Sequence, residues 1–282
     1  MNKTQKKKIG LALGGGGARG CAHVGVIKAL EKAGVEISFV AGTSIGALVG
    51  GIYAAGHLKE LEDFLRKIKW HDVARQFDPT VRRNGMFKGE KVMKLVDQLI
   101  GGKTFKDCEK LFVAVATDFL TGKEVRLNEG QLSSAIRASI SLPGIFTTVE
   151  HKGMQLLDGG IVNPLPVNVV RQMGADIVIA IDLNKEFVQE RKERKRQHRD
   201  GYKKLNQWLR SPFPNMVDVL EGSVFLMQQA ITEKNLETDP ADFLLNLNLG
   251  SSSVFDFHRA KELIKKGEQQ MEDKMGALRK VA

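Results

Sequence analysis

Apolar and polar positions fall into alternating blocks along this chain. A short apolar run at 9–13 reads as a strand, and a glycine loop follows at 14–20. A helix at 21–33 then sets Val24, Ile27 and Leu30 on one face and stops at Gly34. The spacing predicts a second strand at 38–42, a helix of small residues at 45–55, and amphipathic helices at 58–68 and 89–100. Strands at 111–116 and 124–127 flank a turn at Thr121-Gly122, and helical residues return at 132–138. After Pro143-Gly144, a hairpin through His151-Lys152-Gly153 leads to Leu157, followed by a helix at 166–173 and a fully apolar strand at 177–181. A last unit contains a helix at 216–231, a strand at 243–247 and a helix at 257–275. Uniformly apolar strands alternating with helices imply an α/β fold, a three-layer sandwich with a mostly parallel central sheet. No internal repeat or domain boundary is visible. The chain reads as a basic tail at 1–8 and a single domain at 9–282, which carries a basic lid or insertion at 185–214 ending in Pro212 and Pro214.

Length and composition agree with one large globular domain: 282 residues, 42% hydrophobic and 27% charged, with 7 prolines, which excludes disordered, collagen-like and mucin-like chains. The formal charge of +10 is local. Lys3, Lys6, Lys7 and Lys8 carry part of it, and ten Lys and Arg between Lys185 and Arg210, set against Glu186, Glu190, Glu193 and Asp200, carry the rest. A near-neutral body with two basic appendages suits peripheral contact with an anionic membrane surface, where Trp208, Leu209 and Phe213 would supply apolar contacts. A solvated basic face is the alternative. Aromatics at 6% leave little material for stacking bases, so no nucleic-acid partner is expected. Cys21 and Cys108 form no CxxC and no metal-ligand spacing, so neither a disulfide framework nor a zinc site is indicated and a reducing, cytoplasmic setting is expected; no metal or other cofactor is expected either. The lysines before 9–17 imitate a signal peptide, but Gly14 to Gly17 make a poor apolar helix and Arg19 stands where small residues would be needed. Residues 37–55 have the length of a membrane span, yet Val40, Thr43 and the glycines fit a strand turning into a helix. Nothing in the pattern specifies an oligomeric state.

Three clusters carry chemistry. Gly14-Gly15-Gly16-Gly17-Ala18-Arg19-Gly20 lies between a strand and a helix, where backbone N–H groups and the helix N-terminus welcome an anion or a developing oxyanion. The same letters satisfy a dinucleotide fingerprint, but the second strand ends in Gly42-Thr43-Ser44 rather than in the acidic residue that would hold a ribose. Gly42-Thr43-Ser44-Ile45-Gly46 is a GxSxG between an apolar strand and a helix, the setting of a nucleophile elbow, with Ser44 as the nucleophile. A serine needs a base. Among the six histidines, only His258 has the late position of an ordinary hydrolase histidine, and no feature sets it apart. Asp158-Gly159-Gly160 leaves the apolar Leu156-Leu157 at a tight turn, and partial burial would raise the proton affinity of its carboxylate. Asp118 and Asp182 also end apolar strands and are rivals.

These three blocks, in this order, resemble the signatures of the patatin-like phospholipases. The resemblance extends through Thr117-Asp118, Arg137-Ala138-Ser139, Leu142-Pro143-Gly144-Ile145-Phe146, Asn163-Pro164-Leu165-Pro166 and Gly174-Ala175-Asp176. Asp256-Phe257 with Leu263-Ile264 carry it nearly to the end of the chain. The resemblance implies a Ser-Asp dyad of Ser44 and Asp158, an oxyanion hole from the backbone amides near Gly15, Gly16 and Gly17, and a loop-supporting or phosphate-binding Arg19. The implied activity is hydrolysis of lipid acyl esters, of phospholipase A or lysophospholipase type. The basic stretch at 185–214 departs from small bacterial members. A Ser-His-Asp esterase through His258 and a non-catalytic scaffold binding an acyl ligand or partner are the competing readings.

Overall fold

The computed structural model describes residues 7–69, 78, 87–186, 216–250, 252 and 255–281. The first six residues of the basic tail lie outside that set. So does most of the 185–214 segment, with Trp208, Leu209 and Phe213.

Among the described residues, eight strands form one sheet: β1 (Ile9–Leu13), β2 (Ile37–Thr43), β3 (Leu111–Asp118), β4 (Glu124–Leu127), β5 (Val149–His151), β6 (Met154–Asp158), β7 (Ile177–Asp182) and β8 (Phe243–Asn246). Their order is β5-β6-β3-β2-β1-β7-β8, with β4 also on β3. The pairs from β3 through β2, β1 and β7 to β8 are parallel, while β4 and β6 run antiparallel to β3 and β5 antiparallel to β6. The central sheet is therefore mostly parallel, with an antiparallel flank. That flank matters for the site, because β6 delivers Asp158 beside the carboxyl end of β3, where Ala116 is its partner.

Among the described residues the helices are α1 (Cys21–Lys32), α2 (Ile45–Ala54), α3 (Leu58–Lys67), α4 (Glu90–Ile100), α5 (Leu132–Ser139), α6 (Val167–Gln172), α7 (Met216–Thr238) and α8 (Ala260–Leu278). Period-two alternation sends successive strand residues to opposite sides, and both sides are apolar. Leu11, Leu13, Val40, Ala114, Ile179 and Ile181 join the core that also holds α1, α2 and α8. Ala12, Phe39, Ala41, Val113, Val115, Val178 and Ala180 meet Val167, Val169 and Val170 of α6 on the other face.

Helices α1 and α8 touch through glycines. A Cβ on Gly25 would lie 1.9 Å from the Ile264 carbonyl oxygen, and one on Gly267 would lie 2.2 Å from that of Ala22.

Two helices run beyond the extent their apolar periodicity predicts. Helix α7 continues from 231 to Thr238 because Thr232, the next residue, is buried and Leu236, about one turn beyond it, packs on the second core. Helix α8 continues to the buried Leu278. The span-length segment 37–55 divides into β2 and α2 about Ser44, and no helix among the described residues is long and apolar enough to cross a membrane.

Candidate active site

Ser44 stands alone between β2 and α2 with φ 56° and ψ −124°, a left-handed conformation that a non-glycine residue adopts only under constraint. Its neighbours show how the sequence allows this. A Cβ on Gly42 would fall 2.3 Å from the Gly46 carbonyl oxygen, and one on Gly46 would fall 2.1 Å from that of Leu13, so side chains at either position would force the elbow open. Three hydrogen bonds hold it closed. Thr43 Oγ1 donates to the Asn163 carbonyl at 2.7 Å, the Ser44 N–H donates to Ser139 Oγ at 2.9 Å, and Ser139 Oγ in turn donates to the Val115 carbonyl at 2.6 Å.

Ser44 Oγ donates to Asp158 Oδ2 at 2.6 Å. No histidine intervenes. The second carboxylate oxygen, Oδ1, accepts the Gly160 N–H at 2.7 Å, while the Asp158 main chain is fixed by Thr117 Oγ1 and by the Ser141 carbonyl. Asp158 is completely buried. Removal from water pushes its carboxyl up to about 6, against the opposing pull of the hydrogen bonds from Ser44 and Gly160. The rivals are occupied differently. Asp118 accepts from Thr121 Oγ1 and the Leu120 N–H as the staple of a turn, and Asp182 accepts the Asn184 N–H. His258 is exposed on the turn before α8.

The glycine loop divides its donors. The Gly14 N–H goes to the Ile181 carbonyl at 3.1 Å and the Gly15 N–H to the Pro164 carbonyl at 3.0 Å. This is a departure from the expectation that the Gly15 amide serves an oxyanion, since its hydrogen is already engaged. Gly16 and Gly17 border the same cavity as Ser44, and among the described residues no main-chain hydrogen bond uses their N–H groups. Arg19 is fully buried. Its Nε donates to the Gly16 carbonyl at 3.2 Å, Nη2 donates to Asn184 Oδ1 at 3.0 Å, and the guanidinium lies 4.1 Å from the centre of the Phe225 ring. These contacts tie it to the glycine loop. His23, also fully buried, donates from Nε2 to the Gly14 carbonyl at 2.9 Å, and burial lowers its imidazole to about 4, so it is neutral. Cys21 borders the cavity too, but burial pushes its thiol up to about 12, which keeps it protonated.

From Ser44 a cavity of about 180 Å³ extends between helices. Its walls include Leu48 and Ile52 of α2, Leu61 and Leu65 of α3, and Val92 and Val96 of α4. A hydroxyl bonded to a buried carboxylate, with unengaged amides beside it and a long apolar recess behind, suits nucleophilic attack on an acyl ester. Ser139, Asn163 and Asn184 were not legible as site residues. Ser139 and Asn163 lie inside sequence blocks already noted, but their roles depend on partners remote in the chain.

A family profile described as patatin-like phospholipase matches residues 11–171, more than half of the chain. The chain is 42% identical over 181 residues to an uncharacterized NTE family protein of Mycobacterium tuberculosis (strain ATCC 25618 / H37Rv), covering 64% of this chain and 50% of that protein. It is 38% identical over 182 residues to the patatin-like phospholipase domain-containing protein 6 of Homo sapiens, covering 62% of this chain and 13% of that one. The chain thus spans half the length of the mycobacterial relative and a smaller share of the human protein. Among solved structures, VipD from Legionella pneumophila is similar at a TM-score of 0.50 and 13% identity, covering 95% of this chain and 67% of that one, a likeness of fold.

Proposed function

Because the chain belongs to the patatin-like phospholipase family, we propose that it is a lipid acyl-ester hydrolase working through a Ser44–Asp158 dyad, of phospholipase A or lysophospholipase type. The observation that carries this reading is the direct 2.6 Å contact of the two side chains at the end of an apolar cavity. Asp158 accepts the proton as Ser44 Oγ attacks the ester carbonyl carbon, and the Gly16 and Gly17 amides stabilise the tetrahedral oxyanion. Collapse breaks the bond to the alcohol oxygen, which takes the proton from Asp158 and leaves. Water, deprotonated by Asp158, then attacks the acyl-serine; the tetrahedral adduct expels Ser44 Oγ, which regains the proton, and the fatty acid departs. The carboxyl near pH 6 is matched to this double role, being ionised at neutrality yet more basic than an exposed aspartate. Arg19 fixes the glycine loop by holding the Gly16 carbonyl.

The test is covalent labelling with a long-chain fluorophosphonate. The wild-type protein takes up the label at position 44, Ser44→Ala takes up none, and Asp158→Asn loses at least about a hundredfold in kcat with a smaller change in KM. Labelling that persists in Ser44→Ala would refute the assignment.

A further inference from the structure

One polar side chain stands in the cavity without a role in the dyad or the glycine loop. Of the described side chains lining the recess that begins at Ser44, only those of Ser44 and Gln228 carry nitrogen or oxygen. Gln228 belongs to α7 and is 5% exposed. A buried carboxamide facing an apolar space is costly unless it has something to bond.

Its orientation is dictated from a distance. The Arg19 guanidinium has donors only, so the Asn184 atom that receives Arg19 Nη2 at 3.0 Å must be the carbonyl oxygen. The other end of that amide, Nδ2, is therefore a donor, and it meets Gln228 Oε1 at 3.3 Å. Gln228 is left with Nε2 pointing the other way. That nitrogen lies over Gly160, where an added Cβ would be 2.2 Å from Gln228 Nε2 and 3.0 Å from Asp158 Oδ1. The absence of a side chain at Gly160 lets a carboxamide donor come close to the dyad carboxylate on its Oδ1 side.

Nearness to this carboxylate, whose other oxygen receives the Ser44 hydrogen, has a chemical meaning. In the mechanism above, the proton removed from Ser44 rests on Asp158 and must pass to the departing alkoxide, so the alcohol portion of the ester leaves past Asp158. The acyl chain occupies the recess between α2, α3 and α4. We infer that Gln228 Nε2 donates a hydrogen bond to an oxygen in the alcohol portion of the substrate. Gln228 thereby selects esters of glycerol or phosphoglycerol over esters of simple alkanols. The inference rests on the Ser44–Asp158 reading and adds to it the substrate's alcohol side.

The experiment compares kcat/KM of the wild type, Gln228→Leu and Gln228→Met on three substrates sharing one fatty acid: a monoacylglycerol, a lysophosphatidylcholine and an ethyl ester. Fluorophosphonate labelling of Ser44 is measured alongside. The variants are expected to label at the wild-type rate, to lose about tenfold on the glycerol substrates and to keep their ethyl-ester activity within about twofold. A loss on both glycerol substrates identifies a glycerol hydroxyl as the acceptor, and a loss on the lysophospholipid alone identifies a phosphate oxygen; either supports the inference. An equal loss on all three substrates, or no loss on any, overturns it. Wild-type protein that fails to label at Ser44 defeats the dyad itself, whereas normal labelling with unchanged selectivity defeats the Gln228 assignment alone.

Discussion

At the scale of single residues, two buried titrating groups pull stability in opposite directions over one pH range. Asp158 has its carboxyl raised to about 6, above its unfolded value of 3.8, so its contribution is fully present at low pH and is lost as pH rises through 6. His23 is lowered to about 4 from 6.5; its contribution is present above 6.5 and is lost as pH falls through 4. Between about pH 4 and 6 the two oppose each other. Asp158→Asn removes one of them. Thermal melts should therefore show this variant more stable than wild type at pH 8, and losing stability more steeply between about pH 6.5 and 4. Catalysis by the wild type should follow the same carboxyl: kcat/KM rises with pH along a limb centred near pH 6 and then levels, because only the ionised form can take the Ser44 proton.

Elements explain what could be seen in the sequence and what could not. The strand-turn-helix about Ser44 was legible because Gly42 answers a close backbone approach within the same few residues, whereas the approach that Gly46 answers comes from Leu13 at the end of β1. Asp158 was legible as a strand end followed by two glycines, though Asp118 and Asp182 also end apolar strands. What separates them is the antiparallel placement of β6 beside β3, a tertiary fact. The engagement of the Gly15 amide by Pro164 and of Ser44 by Ser139 was hidden for the same reason. Gln228 sits in a helix whose sequence carries no motif, and its orientation depends on Asn184 and Arg19.

The glycine contact between α1 and α8 makes a prediction at this scale. Gly25→Ala forces backbone apart and should lower stability by about 3 kcal/mol, read as a fall in melting temperature of roughly 8 °C. Helices α3 and α4 make another. Val96 lines the recess, so Val96→Phe should shift preference toward shorter acyl chains, with a loss of about tenfold in kcat/KM for long-chain relative to short-chain esters.

For the whole molecule, the distribution of charge matters more than its sum. The +10 excess resides in residues 1–8 and 185–210, while the remainder is close to neutral. Adsorption to vesicles containing anionic lipid should therefore weaken steeply as salt is raised from about 0.05 to 0.5 M, as the screening length shortens. Deleting residues 187–211 should remove most of that salt-dependent binding in a sedimentation assay while leaving fluorophosphonate labelling intact. Vesicle binding unchanged by the deletion would show that the basic stretch does not serve this contact.

The Ser44–Asp158 contact joins two halves of the sheet that are built differently. Ser44 closes a strand of the parallel half and Asp158 a strand of the antiparallel flank, with β3 between them. On the proposed mechanism, neither half activates the serine without the other. Uptake of an active-site probe during refolding from denaturant would thus mark the instant at which the two halves lock together, making the reactive hydroxyl an internal clock for the last stage of assembly.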